Sequence, residues 1–366
     1  MAKVIFDLST KLVMKLFILQ TFRSFTPSSV ELEWYDVVWW YDVPKTHKKT
    51  LKIRPIVSGR HGIYDRIGWF LQVILCPLLK HVSAHVDSTS KLIQRYEDCP
   101  KAVLKGQIPV SFDVVSLYTN IGVEEAINTA LSYAEEYKLN THGLTLADLS
   151  ELLHLMLENN VFECEGLGFF KQIRGLAMGN RLSGTLAILV MDRFERNYIF
   201  KSLTPLPAIY LRYVDDTGTL AKNTDHARGM LTYLNSKHDT IKFELEIPNE
   251  DGYLPILDTM IKIEPDGSIS RKLYVKAASK GITLNYRSHH PTANKIAIIH
   301  SELARARNNS STGNHREAAA MITNKLISNG YPEHLLQRER EQRASRRHRH
   351  RKRRPVDKPQ SLVLRG

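Results

Sequence analysis

Cysteine is scarce in this chain of 366 residues: Cys76, Cys99 and Cys164 stand far apart, with no CxxC or Cys/His spacing. That excludes a disulfide framework and a zinc module, and it fits a reducing compartment. Long apolar runs are missing too. The longest near the start, about Leu12 to Phe22, is interrupted by Lys15 and Gln20. It is too short to span a bilayer and lacks the small-residue cleavage site of a signal peptide. The expectation is a soluble protein of the nucleus or cytoplasm, with no membrane partner. Negative charge is also in deficit. Lys and Arg number 51 against 38 Asp and Glu, for a net charge of +13 and a pI near 9.5. Such an excess favours an anionic polymer as partner, because neutralised phosphates release counterions. Part of it is a tail, Arg346 to Arg354, with seven permanent cations in nine residues. The tail is expected to be disordered and is compatible with nuclear import or nonspecific nucleic-acid binding. The rest of the chain remains basic without it.

What is present is an ordinary globular composition, 43% hydrophobic and 24% charged, at a length that suggests about two domains. Residues 1–40 carry Trp34, Trp39 and Trp40, which suggest a buried or docking segment. A basic loop, Pro44 to Lys49, precedes a strand pattern over Leu51–Val57. Helical spacing runs from Ile67 to His81. It returns in the stripe Val123, Ile127, Ala130, Leu131, Ala134 and Tyr137, with Glu124, Glu125, Glu135 and Glu136 opposite, and again over Thr145–Leu157. Val161–Cys164 and Phe169–Ile173 read as a hairpin. Gly175 to Gly179 is a loop entering an apolar helix from about Leu182 to Tyr198. A helix over Asp225–Ser236, strands near Ile241–Ile247 and Ile256–Ile263, and a basic helical stretch from Pro291 complete the pattern. No internal repeat is visible. The order predicts an α+β fold, with helices on one face of a small antiparallel sheet.

The chemistry-bearing stretch is Tyr213-Val214-Asp215-Asp216, at the tip of a tight hairpin between Ile209–Val214 and Thr217–Ala221. A bare Asp-Asp in a turn is ordinarily a solvated corner. Asp113 changes the weighting, because it ends another strand pattern, Ile108 to Phe112, which the same sheet can set beside the hairpin. Two carboxylates about 4 Å apart repel by roughly 4 kcal/mol at an effective dielectric near 20, so three gathered acids need a cation. Hard, oxygen-seeking Mg²⁺ in a pair is the usual answer where phosphoryl groups are transferred in line.

These residues resemble the reverse transcriptases, and among them those of Penelope-like retroelements. Phe112-Asp113-Val114-Val115-Ser116-Leu117-Tyr118-Thr119-Asn120-Ile121 is similar to the first palm motif of that group. Pro44-Lys45-Thr46-His47-Lys48 and Arg54-Pro55-Ile56-Val57-Ser58 are similar to its fingers. Gly175-Leu176-Ala177-Met178-Gly179, Leu254-Pro255-Ile256-Leu257-Asp258 and Ser288-His289-His290-Pro291 with Lys295 are similar to later motifs. The resemblance spans about Val43 to Arg307. It implies a right-hand polymerase: an N-terminal segment 1–42, fingers 43–107, a palm 108–265, a connection and helical thumb 266–336, and the basic tail 337–366.

The same resemblance implies an RNA-directed DNA polymerase that uses an RNA template, a DNA primer or nicked target DNA, and dNTPs. Asp113, Asp215 and Asp216 would hold two Mg²⁺ ions, with Mn²⁺ as a substitute. Tyr118 would close the pocket beneath the sugar and exclude a 2′-hydroxyl, which argues against an RNA polymerase copying RNA. Arg54, with Lys45 or Lys48, would clamp the triphosphate. Gly179 would let the backbone approach the nucleotide, and Lys242 is a weaker candidate proton donor. The chain departs from the family at Asn180-Arg181 and Ser183-Gly184-Thr185, where prolines are usual. That predicts a loosened helix start and gives the alternative reading, an inactive remnant that only binds nucleic acid. His61-Gly62-Ile63-Tyr64 to Gly68 holds both halves of a GIY-YIG nuclease signature, too close together to function. No nuclease or RNase H pattern follows Arg307, so the expectation is a truncated or nuclease-lacking member.

Overall fold

A computed structural model of the chain describes residues 38–44, 53–59, 62, 64–164, 168–203, 206–276 and 278–341. The expectations for residues 1–37, for Lys45 and Lys48, and for the basic tail lie outside these residues. The chain divides into two compact units: residues up to 256 with 262–269, and residues 257–261 with 270 onward.

In the first unit, β1 (Val38–Pro44) pairs antiparallel with β2 (Ile53–Val57) and parallel with β4 (Val161–Cys164), which pairs in turn with β5 (Gly168–Lys171). β1 falls where sequence reading assigned no element. Helix α1 (Asp65–Leu75) stops earlier than its apolar spacing predicts and continues as 3-10 turns over Cys76–His81. Pro77 is the reason, since it donates no N–H to an α-helical ladder. Helix α2 (Thr89–Glu97), capped by the Ser88 hydroxyl, was not anticipated. The two helices expected after Asp113 are α3 (Val123–Glu136) and α4 (Leu146–Glu158). A reciprocal Thr145–Asp148 capping box starts α4. The apolar helix entered from the glycine loop is α5 (Ser183–Glu195), which runs into a wider turn at Arg196–Phe200.

A second sheet has the strand order β6 (Tyr210–Tyr213), β7 (Asp216–Ala221), β3 (Ile108–Val114), β8 (Phe243–Glu246), and every neighbouring pair is antiparallel. Helix α6 (Thr224–Asn235) connects β7 to β8 and is capped by Asn223. Successive residues of a strand face opposite sides. Val110, Phe112 and Val114 of β3 enter a core built with Ile127 and Ala130 of α3, Leu186 and Leu189 of α5, and Met230 and Leu234 of α6. Each such fully buried Leu, Ile or Phe contributes roughly 1.5–3 kcal/mol. Ser111 and Asp113 therefore lie on the other face. Pro109 sits inside this central strand, a position that normally rejects proline. The hydrogen bonds explain it: Val114 N–H bonds Asp215 O at 3.1 Å, whereas Val115 N–H bonds Lys242 O at 2.8 Å. Odd-numbered residues thus bond toward β8, which has already ended at Glu246 opposite Ser111.

The single strand expected near Ile256–Ile263 is two strands, β9 (Leu254–Ile256) and β10 (Thr259–Ile263), broken by Leu257 at φ 52°. β11 (Ile269–Leu273) follows. In the second unit, α7 (Thr292–Asn308), α8 (His315–Ser328) and a helix over 333–341 surround Ile299, Ile322, Leu326, Leu335 and Leu336. Lys325 Nζ bonds Glu302 at 2.7 Å, and His300 Nε2 lies 2.8 Å from Glu339 Oε2. Among the described residues no helix is long and apolar enough to cross a membrane.

Candidate active site

Asp113 and Asp216 are cross-strand partners, one near the end of β3 and the other opening β7. Directly opposed residues of antiparallel strands project to the same face. Because Val114 N–H bonds Asp215 O, the neighbouring Asp113–Asp216 pair is the closely spaced kind, with Cα atoms about 4.5 Å apart. Asp215 occupies the second position of the two-residue turn between β6 and β7. All three aspartates are half-buried. The sheet thus brings together the acids singled out from sequence. It adds one that was missed: Glu244 of β8 is the partner of Asp113 on the opposite side, and it is exposed. Strand register is not written in a local sequence pattern, so nothing near Glu244 foretold it.

Tyr118 stands beside these acids. The chain leaves β3 through Ser116, held at φ 50°, and enters the single helical turn Leu117–Asn120 that carries the tyrosine. Burial, followed by the charge of Asp215 and then Tyr213, raises the Tyr118 hydroxyl above its usual pKa and keeps it a neutral donor. Gly175 makes room for its backbone, and Gly184 lies in ordinary contact range of its hydroxyl. A Cβ on Gly175, at φ +77°, would lie 2.6 Å from Thr119 Cα and 2.8 Å from Tyr118 O, and Leu176 N–H bonds that same carbonyl at 2.7 Å. A Cβ on Gly184 of α5 would lie 3.9 Å from the Tyr118 hydroxyl.

Gly179, at φ +113°, packs its backbone against β2: a Cβ there would lie 2.5 Å from Val57 O. Val57 N–H bonds Met178 O at 2.8 Å and Gly59 N–H bonds Gly179 O at 3.3 Å. The strand that carries Arg54, three residues before Val57, is therefore fastened to the glycine loop. The helix start expected to be loosened is tied down instead. The Asn180 side chain accepts from Leu182 N–H at 2.9 Å, Ser183 Oγ donates to Ala177 O at 2.6 Å, and Arg181 forms a two-pronged pair with Asp65 of α1. Lys242 is committed elsewhere. Its ammonium donates to Asn235 O and His238 O, both at 2.7 Å, at the end of α6, which does not match the proton-donor expectation.

A buried charge network lies on the helix side of the hairpin. Arg212 and Glu195 are both fully buried. Arg212 Nε donates to Glu195 Oε1 at 2.5 Å and Nη2 to Oε2 at 3.1 Å. Nη2 also reaches Ile188 O at 3.1 Å, and Nη1 reaches Val214 O at 3.1 Å. Burial pushes the Glu195 carboxyl up, opposed by the Arg212 charge. One turn earlier, Asp192 accepts from the Tyr133 hydroxyl at 2.6 Å and pairs with Arg196 Nε at 2.7 Å. Sequence reading passed over these residues. The available signal was three charges, Asp192, Glu195 and Arg212, inside segments otherwise patterned for burial.

Superposition on solved structures decides the architecture. Telomerase from Candida albicans, in complex with a fragment of telomeric RNA, matches with a TM-score of 0.55 at 12% identity, over 83% of this chain and 57% of that one. Apo telomerase from Candida tropicalis matches with a TM-score of 0.52 at 14% identity, over 87% of this chain and 62% of that one. The fold is that of a right-hand polymerase. The chain spans less than two thirds of the length of either telomerase. A family described as "Animal helix-turn-helix domain" matches residues 282–341, the stretch of α7, α8 and the helix at 333–341. No curated protein sequence matches the chain.

Proposed function

We propose that the chain is an RNA-directed DNA polymerase of a Penelope-like retroelement, adding dNTPs to a primer 3′-hydroxyl on an RNA template. The observation that carries the reading is the register of Asp113 against Asp216, with Asp215 hydrogen-bonded to the residue beside Asp113. Asp113 and Asp216 on one face, with Asp215 in the adjoining turn, offer hard oxygen donors, and a divalent ion such as Mg²⁺ would relieve their mutual repulsion. Asp113, Asp215 and Asp216 would hold two such ions, with Mn²⁺ as a substitute. Bound there, the ions supply activation of the 3′-hydroxyl and charge neutralisation on the triphosphate.

The chain's own residues do the rest. The primer 3′-hydroxyl gives up its proton to solvent as its oxygen bonds the α-phosphorus, the bond from that phosphorus to the bridging oxygen breaks, and pyrophosphate departs with its negative charge. Arg54, carried by β2, would offer a bidentate fork to that phosphate charge, as the resemblance implies. The glycine loop at Gly179 gives the nucleotide a side-chain-free surface. Tyr118, wedged by the glycine loop, fills the space a 2′-hydroxyl would need. The helix-turn-helix match over residues 282–341 and the basic charge support a nucleic-acid partner.

Primer extension on an RNA template tests the reading. The intact chain is expected to incorporate dNTPs in Mg²⁺, Asp113→Ala or Asp215→Ala to abolish incorporation, and Tyr118→Ala to admit rNTPs. Activity surviving both aspartate changes would refute the assignment. Salt-sensitive RNA binding with no incorporation in Mg²⁺ or Mn²⁺ would favour the binding-only remnant.

A further inference from the structure

Arg212 heads the fully buried side chains by volume among the described residues, and it immediately precedes the acidic hairpin tip. A buried guanidinium is held only where carboxylate and carbonyl acceptors surround it. Here the acceptors come from α5 and from the turn itself: Glu195 and Ile188 O from the helix, Val214 O from the turn. The backbone of Arg212 is fixed as well: its N–H bonds Ala84 O at 2.7 Å, and its carbonyl accepts from Val86 N–H at 2.9 Å.

Val214 is the residue that needs holding. It sits at φ +57° in the first position of the two-residue turn, whereas Asp215 is absent from the positive-φ residues. A positive φ at the first position alone is the pattern of a type II′ turn, where glycine is the usual occupant. A β-branched residue there is a genuine outlier, and such strain persists only where the surroundings over-determine it. Among the described residues, the side chain that reaches the Val214 carbonyl is that of Arg212.

We propose that Arg212 is a positioning residue for nucleotide transfer: anchored by Glu195 on α5, its Nη1 clamps the Val214 carbonyl, keeps the turn left-handed and so aims Asp215 toward Asp113. The proposal rests on the polymerase reading. It separates a positioning role from mere filling of the core, because glycine at position 214 needs no clamp.

The test uses the purified full chain with Arg212→Lys, which keeps the charge but loses the fork. Single-nucleotide incorporation should show kcat lowered about a hundredfold, with KM for dNTP and primer–template affinity within about twofold. Adding Val214→Gly to Arg212→Lys should restore at least about tenfold of the loss. Arg212→Lys at wild-type kcat, or a double variant as slow as Arg212→Lys alone, overturns the proposal. If Arg212→Lys does not fold, Glu195→Asp, which draws the anchor back by one methylene, takes its place with the same expectations. If the wild-type chain incorporates nothing, the polymerase reading fails by itself. Hydrogen exchange over residues 213–216 then reads the clamp directly. Exchange about tenfold faster in Arg212→Lys, with β3 unchanged, supports the clamp; equal exchange overturns it.

Discussion

Replacing Glu195 by glutamine removes one charge from a pair in which neither side chain is exposed. The guanidinium of Arg212 then stays buried without a counter-charge, a situation that costs about 3–5 kcal/mol in comparable pairs. Glutamine keeps one carbonyl oxygen to accept one of the two Arg212 bonds, so the lower end, about 3 kcal/mol, is the expected loss. At roughly 2–4 °C per kcal/mol for a unit of this size, the unfolding midpoint should fall by about 10 °C. Arg212→Met with Glu195→Leu removes both charges and leaves mainly the Val214 carbonyl without its donor, for about 1–3 kcal/mol. The double variant should therefore be no less stable than Glu195→Gln alone, giving a coupling of about 3 kcal/mol or more in a cycle completed by the single Arg212→Met and Glu195→Leu variants. Urea denaturation followed by circular dichroism measures each corner. Because the pair is buried, the Glu195→Gln penalty should persist when salt is raised to about 1 M. Additive losses, or a penalty that salt erases, would show that the pair is not the anchor described.

Gly175→Ala should cost about 1–2 kcal/mol for its left-handed backbone and a further 1–3 or so for overpacking against Thr119 and Tyr118. Gly143→Ala, at φ +90° with nothing within 4 Å of the added Cβ, is the control that carries the backbone cost alone. Equal thermal shifts for the two would sink the contact argument. In the second unit, Glu339 accepts hydrogen bonds from His300 and Arg338, which hold its carboxyl below the ordinary range. That stabilisation is present above the unfolded value near about 4.3 and is lost as pH falls through the lower folded value. The hydrogen-exchange protection factors over residues 292–341 should therefore fall from about pH 5 downward, and Glu339→Gln should flatten the dependence. An unchanged acid response in the variant would refute the assignment.

Much of the palm was legible because both of its periodicities are strong. The apolar run Ile108 to Phe112 marked a strand ending at Asp113, and the Tyr213–Asp216 stretch between two β-branched runs announced its hairpin. The apolar stripes of α3 and α4 were equally plain. What escaped is what depends on distant partners. Glu244 meets Asp113 through a register that only the assembled sheet defines. Arg212 and Glu195 are charges whose burial makes sense only together. The departure at Asn180-Arg181 pointed to a weakened helix start, and the structure answers with a side-chain cap and an ion pair to α1 that no local pattern encodes.

The two faces of β3 bind folding and chemistry into one constraint. A slip of one residue against β7 would drive Asp113 into the hydrocarbon interior and expel Phe112. The energetic penalty for misalignment is thus levied by the core and not by catalysis. A palm that collapses correctly has Asp113 and Asp216 in register, so lesions at the core-facing residues of this strand should surface as lost protein before they surface as lost turnover.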